Sequence, residues 1–513
     1  MLWIVCALAA AAPLALARQL AHLKQPPITF SNVQKNGLTA AASPQAYYFD
    51  QLLDHSNPSL GTFQQRYYFF DGYYKEGGPI VLFNAGEEDA SLYTGYLQNI
   101  TISGAIAYAT GGATIVMEHR YWGASIPFAN YSTANMKYHT LENSIQDFAH
   151  FALNVELPFT SGTKALPPPT TPWITIGGSY PGALSAYVKH TFPDLFWASY
   201  ATSAPVQAIS DFYGYFLPVV AGGPQNCTND MKAVITHWDS VMSTGTEEDQ
   251  RALMTVFGLQ NVTHTVDAAS ALQEAPWSWQ SMGPAGAGQD FFEFCDVLEV
   301  KDGVSAGPEG YGLDYALAQW GAWQTQYSLD ACGSSFIGDA CWGSFDADAS
   351  FYTDVSPTNT YRPWMWIICN DLGFWQDGDP TGPSIVSKQV NVAYWERQCP
   401  LWFPPEDGVA VPASSPVDRV NSLYGGWDIT EERLILVNGE FDPWRSGSVA
   451  SLLPEAPKRE STSTQPLLLV KTGVHCWDMI TATAQANPNT RVVFDAVVAQ
   501  MVAWMKEWDD LKA

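Results

Sequence analysis

Six short runs of apolar and β-branched residues, each bounded by turn-forming residues, constrain the fold most. They are Pro79 to Phe83, Ala113 to Met117, Trp173 to Ile176, Ala198 to Thr202, Leu434 to Val437 and Leu467 to Val470. A run apolar at nearly every position has no polar face to give to water. It therefore reads as a strand covered on both sides, the usual condition of a parallel sheet. Helical candidates lie between the runs at 141–157, 183–190 and 490–508. In the last of these Val493, Val497, Met501, Trp504, Met505 and Trp508 fall near one face. Strand alternating with helix predicts an α/β sheet. The 513 residues suffice for a large core, and 47% are hydrophobic against 15% charged, which excludes a disordered chain. With 24 basic and 51 acidic side chains the formal net charge is -27, so nucleic acid and anionic membranes are excluded as partners.

The alternation breaks between Pro205 and Ile429, a stretch rich in Trp, Gly, Asp and Ser, and resumes at Leu434. The expected organisation is a signal peptide over 1–17, an N-terminal tail or removable pro-segment over 18–42, and a first core part over 43–205. A mainly helical cap insertion over 206–430, including Met231 to Met242 and Glu247 to Phe257, precedes a second core part over 431–513. The signal rests on the apolar run Leu2 to Leu16 and the small-x-small site Ala15-Leu16-Ala17, and no later stretch is apolar for long enough to span a bilayer. Secretion puts Cys227, Cys295, Cys332, Cys341, Cys369, Cys399 and Cys476 in an oxidising compartment. An odd number leaves one thiol free. Cys332/Cys341 and Cys369/Cys399 are plausible couples by proximity, and Cys476 is the candidate for the free thiol. Asn99, Asn130, Asn226 and Asn261 head sequons and are expected to be glycosylated.

One segment carries chemistry. Trp173-Ile174-Thr175-Ile176-Gly177-Gly178-Ser179-Tyr180-Pro181-Gly182-Ala183-Leu184 reads strand, tight glycine turn and helix, with a serine at the apex. This is the setting of a nucleophile elbow, although Pro181 stands where the strict pattern has its second glycine. A serine hydroxyl needs a base, and in α/β-hydrolase order an acid and then a histidine follow it on later strand ends. Asp442 follows the run ending at Val437, and His475 follows the run ending at Val470. His475 is also the only histidine downstream of Asp442. Glu440 and Asp478 are the rival acids. The oxyanion donors expected are the backbone N–H of Tyr180 and that of Glu87, in the turn after the first apolar run.

These blocks resemble the serine peptidases that include lysosomal Pro-Xaa carboxypeptidase and dipeptidyl peptidase II, with the strongest likeness to the secreted acid prolyl endoproteases of filamentous fungi. The resemblance runs from Tyr47 to the C-terminus. It rests on Phe49-Asp50-Gln51-Leu52-Leu53-Asp54-His55, the distinctive Glu118-His119-Arg120-Tyr121-Trp122-Gly123, the Ser179 turn, Asn438-Gly439-Glu440-Phe441-Asp442-Pro443-Trp444, and Gly473-Val474-His475. It implies an α/β-hydrolase fold with a helical cap, a Ser179, Asp442 and His475 triad, and cleavage on the carboxyl side of proline. The lysosomal members carry methionine four residues after the nucleophile, where this chain has Ala183.

A pyrrolidine ring is compact, apolar and without an N–H, so flat aromatic walls suit it. Trp444 and Trp477, each two residues beyond a triad member, are the candidate walls. Asp346-Ala347-Asp348-Ala349-Ser350 hints at a calcium loop, but Phe351 stands where its turn glycine belongs. No zinc spacing, phosphate loop or dinucleotide fingerprint occurs, so no metal or cofactor is expected. The expected activity is endopeptidase action at acidic pH on proline-containing peptides or proteins. The alternatives are a carboxypeptidase or dipeptidyl peptidase, a secreted esterase, and a non-catalytic binder. Acid activity requires the His475 imidazole to be kept neutral, with Arg120 as a conceivable contributor.

Overall fold

The computed structural model describes residues 25–29, 44–160, 166–283, 290–334 and 337–512. The expected signal peptide lies outside them. The first six strands are β1 (Tyr47–Leu52), β2 (Thr62–Phe70), β3 (Ile80–Asn84), β4 (Ala113–Met117), β5 (Trp173–Gly178) and β6 (Ala198–Thr202). They are followed by β7 (Ile209–Asp211), β8 (Val300–Lys301), β9 (Val304–Ser305), β10 (Gly373–Trp375), β11 (Leu434–Gly439) and β12 (Leu467–Val470). All six apolar runs become strands of one eight-stranded sheet with the order β1-β2-β4-β3-β5-β6-β11-β12.

From β4 to β12 the neighbours are parallel, as expected for strands apolar on both faces. The antiparallel pairs β1/β2 and β2/β4 were not anticipated. Their sequences mix tyrosine with glutamine, and burial along most of β2 alternates, which suits an antiparallel strand with one wet face. The chain goes from β3 out to β4, then returns across β3 to β5 and on to β6. The connections after β3 and β5 therefore leave in opposite directions. They define a switch point at the carboxyl ends of the two strands, the position where α/β sheets place their ligands.

Alternation along the strands feeds two cores. Val81, Phe83, Val116, Ile174, Ile176, Ile435 and Val437 face the helix Ile102–Thr110 and the C-terminal helix Pro488–Lys512, which contributes Val493, Val497, Met501, Trp504 and Met505. Leu82, Ile115, Trp173, Ala201 and Leu436 face the helices Leu141–Asn154 and Tyr180–Thr191. This second core continues into the stretch between β6 and β11, which is mainly helical, with the longest helices at Gln225–Thr244 and Leu313–Cys332. The bridges Cys227–Cys295, Cys332–Cys341 and Cys369–Cys399 all lie in this stretch, and Cys476 is free and buried. Among the described residues no helix is long and apolar enough to cross a membrane.

Residues 25–29 lie inside the stretch expected to be a tail, yet they pack against the sheet ends, and Gln25 is 1% exposed. A segment with no apolar period gives no sequence sign that its polar groups will be taken up by the core.

Candidate active site

Ser179 caps β5 and starts the helix Tyr180–Thr191 with φ 61° and ψ -136°, a left-handed conformation rare for a non-glycine residue. Its N–H donates to Thr202 O at 2.9 Å, and its carbonyl accepts from Ala183 N at 3.0 Å, so the turn is held from both sides. A Cβ on Gly177 would overlap the Pro181 carbonyl, and one on Gly182 would lie 2.8 Å from Thr202 O. The reversal is tight enough to need glycine on both sides of the serine. Pro181 replaces the usual glycine because it stands in the first helical turn, where its missing N–H costs nothing.

Asp442 and His475 sit on the loops after β11 and β12, beside the Ser179 loop after β5. His475 Nδ1 pairs with Asp442 Oδ1 at 2.9 Å, and both residues are buried. Asp442 Oδ1 also accepts from Trp444 N at 3.0 Å, fixing the carboxylate at the start of its turn. Nε2 of His475 is buried without a hydrogen-bond partner among the described residues. The loops touch at the neighbouring residues, since a Cβ on Gly178 would lie 3.1 Å from Cys476 Sγ.

The rival acids are committed elsewhere. Asp478 accepts from Tyr200 Oη and, at 2.7 Å, from Thr202 Oγ1, while Glu440 pairs with Lys471 Nζ at 3.0 Å and accepts from Thr472 N at 2.9 Å. Burial disfavours the His475 imidazolium, while the adjacent Cys476 and the hydrogen-bonded Asp442 carboxylate favour it, and together they hold the pKa well above the usual histidine value. The Cys476 thiol is itself pushed up by burial, against the pull of His475. The low His475 pKa that acid activity requires is thus not a property of the free protein. Arg120 does not supply it. Its guanidinium is spent on Asp147 at 2.7 and 2.5 Å and on the carbonyls of Leu52, Leu53 and Tyr138.

The turn after β3 packs directly on the elbow. Gly86 has φ 71°, and a Cβ there would overlap the Pro181 ring, which brings Glu87 beside the start of the helix that Tyr180 opens. Trp444 is buried in an aromatic cluster, its ring centroid 5.4 Å from Phe212, 5.7 Å from Tyr215 and 5.2 Å from Phe374. Its Nε1 and Tyr215 Oη both donate to Gln280 Oε1 at 2.8 Å. Trp477 is partly exposed and donates through Nε1 to Met282 O at 2.7 Å. Phe212, Tyr215, Gln280 and Phe374 are remote in sequence from every motif, and nothing local in the chain points to them.

The family profile described as Serine carboxypeptidase S28 matches residues 51–282 and 340–495. This chain belongs to the S28 serine peptidases. Serine protease vicPa of Bipolaris victoriae is 38% identical over 476 residues, spanning 90% of this chain and 88% of that protein. The thymus-specific serine protease of Homo sapiens is 28% identical over 526 residues, spanning 96% and 94%. A probable extracellular serine carboxypeptidase of Arthroderma benhamiae is 30% identical over 475 residues, spanning 87% of this chain and 64% of that protein. This S28 peptidase has an α/β-hydrolase fold with a helical insertion, and the interruption in its family match, 283–339, falls within that insertion.

Proposed function

We propose that this S28 peptidase hydrolyses peptide bonds on the carboxyl side of proline, with Ser179 as nucleophile, His475 as base and Asp442 as its orienting acid. The observation that carries the reading is the buried His475–Asp442 pair at the ends of β11 and β12, beside the strained serine at the end of β5. Ser179 Oγ attacks the prolyl carbonyl carbon while Nε2 of His475 takes the hydroxyl proton. That proton passes to the departing amine as the C–N bond breaks. Water then attacks the acyl-enzyme, and its proton returns through His475 to Ser179. Asp442 holds Nδ1 protonated and stabilises the imidazolium. The N–H groups of Tyr180 and Glu87 receive the oxyanion, and Trp444 and Trp477 wall the proline ring.

Endopeptidase action is the first reading, on the likeness of the sequence blocks to the fungal prolyl endoproteases. Terminal exopeptidase action is the second, favoured by one observation: Ser179, Asp442 and His475 are only 2%, 0% and 7% exposed beneath the helical insertion. An acidic working pH is supported by the net charge of -27 and by the Asp377 and Glu299 carboxyls of the insertion, which burial and a neighbouring carboxylate raise. Secretion, with removal of 1–17, is supported by three disulfides. Asn99 and Asn261 are exposed, and Asn130 and Asn226 partly so, as glycan acceptors require.

The test is mass spectrometry of the products of a long proline-containing polypeptide at about pH 4 to 5, a range chosen for acid compatibility. Internal cuts after proline, absent from Ser179→Ala, are expected. Release of terminal residues or dipeptides alone makes the protein an exopeptidase, and cuts without regard to proline defeat the specificity.

A further inference from the structure

At the switch point β3 and β5 part company. Their register ends at Phe83 opposite Ile176, so beyond it the backbone groups that each strand turns toward the other are no longer paired across the two strands. One side chain from far upstream takes their place. Gln25 Nε2 donates to Asn84 O at 3.0 Å and to Ala85 O at 2.9 Å, while its Oε1 accepts the Gly178 N–H at 3.1 Å. The first two groups lead directly into Gly86-Glu87, and the third directly precedes Ser179. A single amide therefore spans the two turns that supply the nucleophile and the proposed oxyanion donors.

The surrounding structure is shaped for this segment. Tyr93 Oη donates to Gln25 O at 3.1 Å, Tyr96 Oη to Pro26 O at 2.9 Å, and Gly95 N to Ile28 O at 2.7 Å. Pro26 and Pro27 bring no N–H that burial would leave unpaired. Gly95 has no room for a side chain, because a Cβ would overlap Ile28 Cγ2 and lie 2.7 Å from Ile28 O. A side-chain amide that donates both its hydrogens and accepts a third bond cannot be replaced by water without loosening the distance between the turns. The oxyanion contribution depends on donors held to within a few tenths of an ångström.

We propose that Gln25 is a positioning residue for this peptidase, and that the segment Gln25–Thr29 is retained in the active enzyme rather than removed with a pro-segment. It acts through the turns and touches no substrate. The inference rests on Ser179 being the nucleophile, and the experiment separates the two. The full chain and its Gln25→Met variant, which keeps the side-chain length and loses all three bonds, are titrated with a fluorophosphonate so that rates are expressed per competent site. The expected result is a fall in kcat per titrated site of roughly tenfold or more, with KM within about threefold, because the loss lies in oxyanion stabilisation and not in substrate binding. An unchanged kcat per site, however few sites survive folding, overturns the proposal.

Peptide mapping of the labelled wild-type enzyme, secreted and active, gives a readout that does not need the variant to fold. Label on Ser179 in molecules that still hold Gln25, in the same chain or as a bound fragment, is the expected outcome. Label on Ser179 in active enzyme lacking Gln25 overturns the inference and leaves the triad standing. Label on another residue overturns the triad, and the inference with it.

Discussion

Glu118, His119, Arg120 and Trp122 of the Glu118 to Gly123 block each hold parts of the fold together. Glu118 pairs with Arg66 and accepts from Ser125 Oγ at 2.7 Å. His119 Nε2 meets Tyr180 Oη at 3.1 Å, and Trp122 Nε1 donates to Thr360 O in the insertion at 3.2 Å. Arg120 and Asp147, both buried, tie the end of β1 to the helix Leu141–Asn154. Removing the cation leaves the buried Asp147 carboxylate with only His55 Nε2, at 2.8 Å, as a cationic partner, so Arg120→Met is expected to destabilise the fold by about 3–5 kcal/mol, read from urea unfolding. Arg120→Lys should recover only part of this, because an ammonium cannot reproduce the forked contacts. At Gly177 a methyl group has nowhere to go. Gly177→Ala is expected to cost about 1–3 kcal/mol through overpacking and to lower kcat by displacing the turn. A variant as stable and as active as the parent would contradict the account of the elbow.

At the scale of elements, the loops after β5, β11 and β12 bring three distant residues together, and the insertion finishes the site. Trp279 Nε1 donates to Phe441 O at 2.8 Å, one residue before the acid, and Trp477 reaches Met282. Trp444 is held from the insertion by Gln280 and by its aromatic neighbours. Trp444→Ala should therefore erode discrimination more than turnover. The ratio of kcat/KM for a prolyl over an alanyl chromogenic substrate is expected to fall about tenfold or more, as loss of a well-packed pocket wall implies. An unchanged ratio would return Trp444 to a purely packing role.

For the whole molecule, stability and activity respond to pH in opposite senses. Burial, reinforced by Asp211, raises the Asp377 carboxyl to about 9; burial with Asp230 raises Glu299 to about 7; burial raises Asp371 to about 6. Unfolded carboxyls titrate near about 4, so above that pH the folded chain holds more protons than the unfolded one. The stability from these groups is fully present below about pH 4 and is lost as pH rises through the folded values. His119 works the other way. Burial lowers it to about 4, so its contribution is present above the ordinary histidine value and is lost as pH falls through the folded one. Tm is expected to peak on the acid side of neutrality and to decline above pH 7. Asp377→Asn should flatten that decline in a calorimetric pH series. Meanwhile kcat/KM should rise with pH along an acid limb governed by His475, whose pKa Cys476 and Asp442 hold up in the free protein. A flat profile there would mean that another group is the base.

The sequence by itself determined the α/β class, the six parallel strands, the elbow and the order Ser179, Asp442, His475, because these depend on local periodicity, turn chemistry and strand-end placement. Glycines flanking a serine between a strand and a helix need no distant information to be read. Only the tertiary structure decided the antiparallel strands β1 and β2, whose mixed polarity is resolved by pairing. It also decided which carboxylate meets His475, since Glu440 and Asp478 are set aside by partners on other loops. The aromatic surroundings of Trp444 and the seat of Gln25 are likewise tertiary. Each is a contact between residues far apart in the chain, and a buried polar group is recognisable only when the groups that satisfy it can be seen.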